Sequence, residues 1–209
     1  MTRMKLLGEP GWGSAIVDAQ LAWYGFDYDF EAVGNLFASA EAREKVAALN
    51  PLAQIPTLVL PGGEVMTESA AITLHLADLA QDDTLVPAPG DPARTKFLRW
   101  LVFLVANVYP TYTYADDPSR FVAEESARQG FRDAVTEHAK RLYSLLEQAA
   151  DAPWFLGERF SAVDVYVCTM TRWRPGPAWF EAHTPKLAAI ARAARGLPRL
   201  EAAWHRNFG

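Results

Sequence analysis

The residue that most constrains this chain is Pro56, which stands at the head of a short β-rich run from Ile55 to Leu60. Proline has no N–H and cannot donate to a β-ladder, so at this position it marks a sheet edge or a bend. The turn Pro61-Gly62-Gly63 follows, and a second extended arm runs from Glu64 to Thr67. The stretch therefore predicts a β-hairpin, and we predict a cis peptide bond before Pro56.

Two features of this hairpin suit a short acidic peptide as a ligand. A bend at Pro56 leaves the backbone N–H and C=O of Ile55 facing outward, where they can pair with an extended chain. Ser69 follows Glu68 at the start of a helical pattern. The hydroxyl and unpaired N–H groups at a helix N-terminus suit a carboxylate. The alternative interpretation of Glu68-Ser69 is the end of a strand followed by an ordinary helix cap.

The segments before and after the hairpin complete a βαβαββα order within about 80 residues, typical of a thioredoxin-like domain. The predicted elements are a strand at Met4–Leu7, a helix at Ser14–Tyr24 with Ser14 as its cap, a strand at Phe26–Glu31, a helix at Ala40–Leu49, the hairpin, and a helix ending near Ala80. We therefore assign residues 1–80 to this domain. Residues 81–92, rich in Pro, Asp and Gly, are predicted to form a linker.

The rest of the chain, residues 93–209, is predicted to be an all-helical bundle domain, because no strand pattern appears in it. The predicted helices are Ala93–Tyr114 with a bend at Pro110, Ala123–Ala150, a buried helix opened by Ser161-Ala162-Val163-Asp164, Pro185–Arg195 and Pro198–Asn207. In the tetrapeptide, Ser161 and Asp164 form a capping box, in which each side chain bonds the backbone N–H of the other residue.

Composition excludes several classes of protein. The net charge of −5 disfavours nucleic acid as a partner, because no basic surplus is available to neutralise phosphates. The single cysteine, Cys168, excludes an internal disulfide and a cysteine-rich metal site, and the histidines share no ligand spacing. We expect no bound metal. The apolar run Leu98–Val108 is too short to span a membrane and no signal peptide is indicated, so we expect a cytoplasmic protein.

The hairpin and its flanks resemble the glutathione site of the glutathione S-transferase superfamily. The matching segments are Gln54–Leu58 and Glu68–Ile72, which occur in the family's order with a hairpin of the expected length between them. Phe155–Asp164 resembles the capping motif of the family's helical domain, so the resemblance covers almost the whole chain. It implies that Ile55 pairs with the cysteinyl backbone of glutathione, and that Glu68 and Ser69 hold its γ-glutamyl end. The binding residues implied are Gln54, Ile55, Pro56, Glu68 and Ser69.

Ser14 is the predicted catalytic residue of such a transferase. A free thiol has a pKa of about 8.5, so the protein must stabilise the thiolate of glutathione to use it near neutral pH. The family's tyrosine is missing from the loop before Ser14, Cys168 is far away in sequence, and Asp18 and Gln20 stand where serine classes usually carry arginine. Ser14 offers a hydroxyl donor, and the first helical turn, residues 15–17, offers N–H groups. The alternative role of Ser14 is a helix cap alone.

Four aromatic residues are candidates for an apolar pocket that accepts the second substrate: Trp12, Tyr109, Tyr112 and Tyr114. Their alternative role is core packing. The resemblance implies an enzyme that adds glutathione, its co-substrate, to a small hydrophobic electrophile in detoxification, and that forms a homodimer. Two alternatives use the same fold: a glutathione-dependent peroxidase or reductase, and a non-catalytic interaction protein. Retention of both ligand motifs favours the enzyme.

Overall fold

The computed structural model describes residues 3–209, which form two compact units. One unit contains the chain up to Ala88 together with residues 193–209, and the other contains Pro89–Arg192. The C-terminal residues therefore belong with the first unit, whereas the sequence analysis assigned them to the helical domain. The cause is a set of side-chain contacts between the last helix and the first, described below, which no local sequence pattern reveals. The linker at 81–92 remains a prediction.

The first unit has the predicted βαβαββα order. Its elements are β1 (Met4–Gly8), α1 (Ser14–Tyr24), β2 (Tyr28–Ala32), α2 (Ala40–Ala47), β3 (Thr57–Val59), β4 (Val65–Met66) and α3 (Ser69–Ala80). The sheet order is β2-β1-β3-β4, with β1 parallel to β2 and antiparallel to β3, and β3 antiparallel to β4. The predicted fold class is confirmed, although β2 begins two residues later than expected because Met4 pairs with Tyr28.

The central strand β1 supplies the core of this unit on both faces of the sheet. Leu6 and Leu7 are almost fully buried, and successive residues of a strand point to opposite faces. Leu6 packs in one cluster with residues of α1, β3 and α3, among them Val17 and Ile72. Leu7 packs in a second cluster with residues before and within α2, among them Val46. The sheet is therefore covered by helices on both sides, as its apolar strand predicts.

The second unit is helical throughout. Its elements are α4 (Arg94–Phe103), a π-helical segment (Leu104–Val108), α5 (Tyr109–Asp116), α6 (Arg128–Ala149), α7 (Ala162–Met170), α8 (Pro177–His183) and most of α9 (Pro185–Arg195). In the first unit, α10 (Glu201–Phe208) ends the chain. Within residues 3–209, no helix is both long and apolar enough to cross a lipid bilayer.

The helix predicted to bend at Pro110 is interrupted directly before that residue. The N–H of Tyr109 bonds the carbonyl of Leu104, five residues earlier, and the π-helical segment ends there. Pro110 is the second residue of α5 and directly follows this wider π-helical segment, where an irregular ladder accommodates a residue that has no N–H to donate. The predicted irregularity is therefore confirmed, and its form is an added residue in one helical turn.

In this unit the predicted start of one helix was wrong, and one helix was not predicted. α6 begins at Arg128 instead of Ala123, because the Arg128 guanidinium bonds the carbonyls of Val122 and Ala123 at 3.0 and 3.1 Å and holds them outside the helix. α8 was missed, since Pro175, Gly176 and Pro177 read as a loop although the last of them begins a helix.

The capping box at the start of α7 is confirmed. One carboxylate oxygen of Asp164 accepts the backbone N–H of Ser161 at 2.7 Å, and the other accepts the N–H of Phe155 at 2.7 Å. Every residue of α7 is buried, as the sequence predicted. Burial raises the pKa of Asp164 to about 6, although these hydrogen bonds favour its charged form and oppose the rise.

This raised pKa predicts that Asp164 makes the protein less stable as the pH rises from about 4 to about 6. In that range the folded carboxyl keeps its proton while the unfolded one, with its ordinary pKa, has lost it. The stabilising contribution is thus complete below pH 4 and lost by pH 6, about 3 kcal/mol in total.

Urea unfolding between pH 4 and 7 measures the effect. Asp164→Asn should be less stable than the parent at pH 4, and this gap should narrow by pH 6 because only the parent titrates. The exposed residue Asp133 provides a control, since Asp133→Asn should keep the parent's pH dependence. Parallel curves for the parent and Asp164→Asn would contradict the prediction.

Candidate functional site

The Ile55-Pro56 bond is cis, as predicted. The carbonyl of Gln54 is occupied, because it accepts the side chains of Asn50 at 2.9 Å and Thr57 at 2.8 Å. Ile55 differs: within the described part of the chain no hydrogen bond uses its backbone N–H or C=O. The bend is thus held from one side by Asn50 and Thr57, and the polar groups of Ile55 are available to an extended ligand.

The hairpin register brings this edge to the start of α3. Leu58 pairs with Met66 and Val59 pairs with Val65. The two strands are antiparallel, Ile55 comes two residues before β3 begins, and Ser69 comes three residues after β4 ends. The open backbone edge and the N-terminus of α3 therefore lie at the same end of the hairpin.

Glu68 has an unusual backbone conformation at this position. It is the N-cap residue of α3, with φ 63° and ψ 99°, and no side chain caps the helix. A positive φ in a residue other than glycine costs on the order of 1–3 kcal/mol and often marks a functional site. The conformation leaves the Glu68 side chain exposed and Ser69 as the first residue of the helix, with the N–H groups of the first turn uncapped.

The turn between β1 and α1 is built around Ser14. The N-cap of α1 is Gly13, and Ser14 is the first helical residue, so the prediction that Ser14 caps this helix was wrong. The Ser14 side chain is fully buried. Its hydroxyl accepts the N–H of Glu9 and donates to the carbonyl of Glu9, both at 3.0 Å. Tertiary packing has thus directed the hydroxyl into the turn and away from the helix end.

The N–H groups at the start of α1 are also placed differently from the sequence expectation. The N–H of Ala15 bonds the carbonyl of Trp12 at 2.9 Å, and that of Ile16 bonds the carbonyl of Gly13 at 3.3 Å. Among the described residues, the backbone N–H groups of Gly13 and Ser14 have no partner. The unpaired donors of this helix end therefore come one or two residues earlier than the sequence analysis expected.

A cluster of buried polar groups, missed by the sequence analysis, supports this turn. Asp18 of α1 is fully buried, and its carboxylate accepts hydrogen bonds from Tyr28, Arg206 and Asn207. Burial raises the pKa of Asp18 above its ordinary value, while these three partners act in the opposite direction. A carboxylate in an otherwise apolar helix was the available signal, because a buried charge requires partners.

Trp12 forms an apolar surface beside the turn. It is half-buried, and its ring lies 5.1 Å from that of Phe37, which is 53% exposed. Its backbone N–H bonds the carbonyl of Glu9 at 3.1 Å, so the residue is fixed to the turn. Its predicted role as a pocket wall stays a prediction.

The three candidate tyrosines of the second unit have different environments. Tyr112 is buried, and its hydroxyl bonds that of Tyr143 at 2.5 Å and the carbonyl of Arg174 at 2.9 Å. The Tyr109 hydroxyl is buried and has no hydrogen-bond partner within residues 3–209, whereas Tyr114 is 41% exposed. Burial raises the pKa of Tyr109 and Tyr112 above the ordinary value. Their role in binding a substrate stays a prediction, as does that of Tyr114.

Across residues 3–209, no group of three or more His, Cys, Asp or Glu side chains is arranged to hold a metal ion. Cys168, the single cysteine, is buried in α7, and its thiol donates weakly to the carbonyl of Ala191 at 3.5 Å.

Comparison with known proteins identifies the class. Residues 16–79 match the family model of the glutathione S-transferase N-terminal domain. The chain is 42% identical over 205 residues to the uncharacterized GST-like protein YncG of Escherichia coli K12, a match that covers 98% of each chain. The protein therefore belongs to the glutathione S-transferase superfamily.

Solved structures agree with this assignment. A glutathione transferase homologue from Sulfitobacter, solved with bound glutathione, has a TM-score of 0.88 at 24% identity and covers 98% of each chain. A sphingomonad glutathione S-transferase complexed with glutathione has a TM-score of 0.74 at 27% identity, covering 96% of this chain and 97% of its own. At 24% identity the first match demonstrates the fold alone, whereas the second, at 27% identity, also shows similarity in sequence.

Proposed function

We propose that this protein is a glutathione transferase that ionises the thiol of glutathione for attack on a small hydrophobic electrophile. The observation that carries the proposal is the hairpin end, where the open backbone of Ile55 and the uncapped start of α3 at Ser69 both lie. Related structures contain glutathione, a tripeptide whose extended backbone and terminal charges suit this combination.

In the proposed complex, the backbone of Ile55 pairs with the cysteinyl residue of glutathione. The hydroxyl of Ser69 and the N–H groups at the start of α3 bind the γ-glutamyl carboxylate, because a helix N-terminus favours an anion. The exposed carboxylate of Glu68 pairs with the neighbouring ammonium group. Gln54 and Pro56 act through their backbone, by fixing the bend that exposes Ile55.

The sulfur is proposed to lie at the N-terminus of α1. Lowering a thiol pKa of about 8.5 by two units requires about 2.7 kcal/mol of preferential thiolate stabilisation. Hydrogen bonds to a charged group contribute roughly 1.5–3 kcal/mol each, so the N–H groups of Gly13 and Ser14 can supply this amount. The thiol proton leaves to solvent, and the thiolate sulfur then forms a bond to the electrophilic carbon. The leaving group departs from that carbon with its bonding electron pair or, in an unsaturated electrophile, the π electron pair moves to the adjacent atom, which takes a proton from solvent.

This mechanism assigns Ser14 a different role from the one inferred from the sequence. Its hydroxyl proton is donated to the carbonyl of Glu9, so donation to a thiolate requires that bond to break. We propose that the hydroxyl holds the turn and that the backbone N–H groups activate the thiol. Activation by the hydroxyl is the competing hypothesis, and one substitution separates the two.

Ser14→Ala should lower the free energy of unfolding by about 1–3 kcal/mol, because the part-buried N–H of Glu9 loses its partner and the C=O of Glu9 keeps only the N–H of Trp12. The thiol pKa of bound glutathione should stay within a few tenths of a unit of the parent value. Thiolate absorbance of the complex against pH measures that pKa, and urea unfolding measures the stability.

Ser39→Ala provides the matched control, since Ser39 caps α2 through the N–H of Ala42 at 3.1 Å. It should cost about 1 kcal/mol of stability and leave the thiol pKa alone. If the thiol pKa of bound glutathione rose by one to two units in Ser14→Ala but not in Ser39→Ala, the Ser14 hydroxyl would be the group that activates the thiol.

Glu68→Gly should change stability and affinity in opposite directions. Glycine relieves the positive φ at this position, so the protein should gain about 1 kcal/mol of stability. Glutathione should bind about tenfold more weakly, a loss of 1.4 kcal/mol, because the carboxylate that pairs with its ammonium group is gone. Urea unfolding and calorimetric titration give the two values.

Gln81→Gly is the control for this experiment. Gln81 has φ 49° at the other end of α3, where glycine also relieves a left-handed residue. This variant should gain similar stability with unchanged affinity. If the parent and both variants bound glutathione with equal affinity, Glu68 would not be a binding residue.

Turnover with a generic nitroaryl electrophile separates the enzyme from a non-catalytic binding protein, which would bind glutathione without conjugating it. Peroxide consumption tests the reductive alternative.

We further propose a homodimer in which α3 and α4 form the contact, since Leu79 and Val102 on these helices are 46% and 55% exposed. Light scattering should give twice the 23.1 kDa chain mass, and the mass of one chain at micromolar concentration would contradict it.

A further inference from the structure

The side chain of Asn207 connects the last helix, α10, to the turn before α1. Its carbonyl oxygen accepts the backbone N–H of Gly11 at 3.2 Å. Its amide nitrogen donates to the carboxylate of Asp18 at 2.7 Å and to the carbonyl of Ala203 at 2.8 Å. The residue is 6% exposed. One buried amide therefore bonds three separate segments of the first unit.

This position requires an amide. Asn207 faces an N–H on one side and two oxygen acceptors on the other, so it must accept and donate at once. An aspartate of the same shape would place a second carboxylate against Asp18, and leucine would leave the part-buried N–H of Gly11 without this partner. The three bonds also determine which way the amide is turned, because the opposite orientation would face a donor with a donor.

The turn and the last helix also approach each other closely at Gly11. Gly11 has φ 79°, a left-handed conformation that favours glycine, and a Cβ added there would lie 3.3 Å from the backbone carbonyl of Asn207. Contact with α10 therefore fixes the backbone two residues before Gly13. Gly13 is the first of the two residues whose N–H groups are proposed to hold the thiolate.

Asp18 anchors the other side of the amide. Its carboxylate is held by Tyr28 and Arg206 as well as by Asn207, and the Arg206 guanidinium compensates its charge. The anchor lies within α1, one turn beyond Ser14. Asn207 therefore joins the body of α1 to the turn that precedes it.

We propose that Asn207 is a positioning residue for thiol activation. By holding Gly11 against α1 it keeps the N–H groups of Gly13 and Ser14 aimed at one point, and aligned donors stabilise an anion without further ordering. This role rests on the proposed function, because it acts through the same turn. Without the amide the turn gains freedom, the two donors align less often, and the thiolate is less stabilised.

Asn207→Ala tests this role, with Trp204→Phe as its matched control. Trp204 lies on the same helix and donates its indole N–H to the carbonyl of Ala194 at 3.1 Å, so the control also removes one buried hydrogen bond of α10. The first readout is amide hydrogen exchange over residues 8–15 without glutathione. The second is the thiol pKa of bound glutathione, with kcat and KM.

In Asn207→Ala, the amides of the turn should exchange at least about tenfold faster, since a local hydrogen bond that protected them is gone. The thiol pKa should rise by about half to one unit, and kcat should fall near neutral pH while the KM for glutathione stays within about threefold. Trp204→Phe should change none of these values. If Asn207→Ala does not fold, the parent protein still provides a test. Its Gly11 amide should exchange at the same rate as amides of α10, because the bond to Asn207 protects it for as long as α10 stays in place.

Each outcome separates this inference from the proposed function. Unchanged exchange in Asn207→Ala, or a Gly11 amide in the parent that exchanges as fast as an exposed one, overturns the positioning role. Faster exchange with an unchanged thiol pKa shows that Asn207 supports the turn alone, which overturns its link to activation. A parent protein that binds no glutathione refutes the proposed function, and it also overturns the role in activation.

Discussion

The close contact between Gly8 and Ser14 is the constraint on which the proposed site depends. A Cβ at Gly8 would lie 2.6 Å from both the Cβ and the Oγ of Ser14, a distance that carbon atoms do not tolerate. Because Gly8 has no side chain, the Ser14 hydroxyl reaches the backbone of Glu9 and bonds both its N–H and its C=O. The end of β1 and the start of α1 are thereby locked together, which fixes where the N–H groups of Gly13 and Ser14 lie.

Helix capping divides the helices of this protein into two kinds. α2 and α7 begin with serine caps, Ser39 and Ser161, whose hydrogen bonds complete the first turn. α1 and α3 begin without a side-chain cap, although a capping residue contributes about 1 kcal/mol. α4, α5, α6, α8 and α10 also begin without a side-chain cap. The proposed mechanism uses the uncapped ends of α1 and α3, for the thiolate and for the γ-glutamyl carboxylate. Donors left unpaired in the free protein are the ones that a bound anion can use.

Two buried carboxylates each attach another segment of the chain to a helix. Asp164 holds the N–H groups of Phe155 and Ser161 against α7 in the second unit. In the first unit, Asp18 holds Arg206 and Asn207, so that the last helix is fastened to the first. Burial raises the pKa of both groups, which means that each carboxylate is destabilised in its charged form and depends on its donors. We propose that the bonds of Asp18 hold the turn between β1 and α1 in one conformation.

Features whose interacting residues lie within a few positions of one another could be predicted from the sequence. The capping box joins Ser161 to Asp164, and the hairpin and its cis bond follow from Pro56 and the adjacent turn, so local chemistry was enough to predict them. The tertiary structure decided the direction of the Ser14 hydroxyl and the partners of Asp18. The hydroxyl turns inward because Gly8 leaves room for it, and Asn207 meets Asp18 across 189 positions of the chain. Contacts of this kind depend on how the helices pack, and helical periodicity shows only that a face is buried, not what it is buried against.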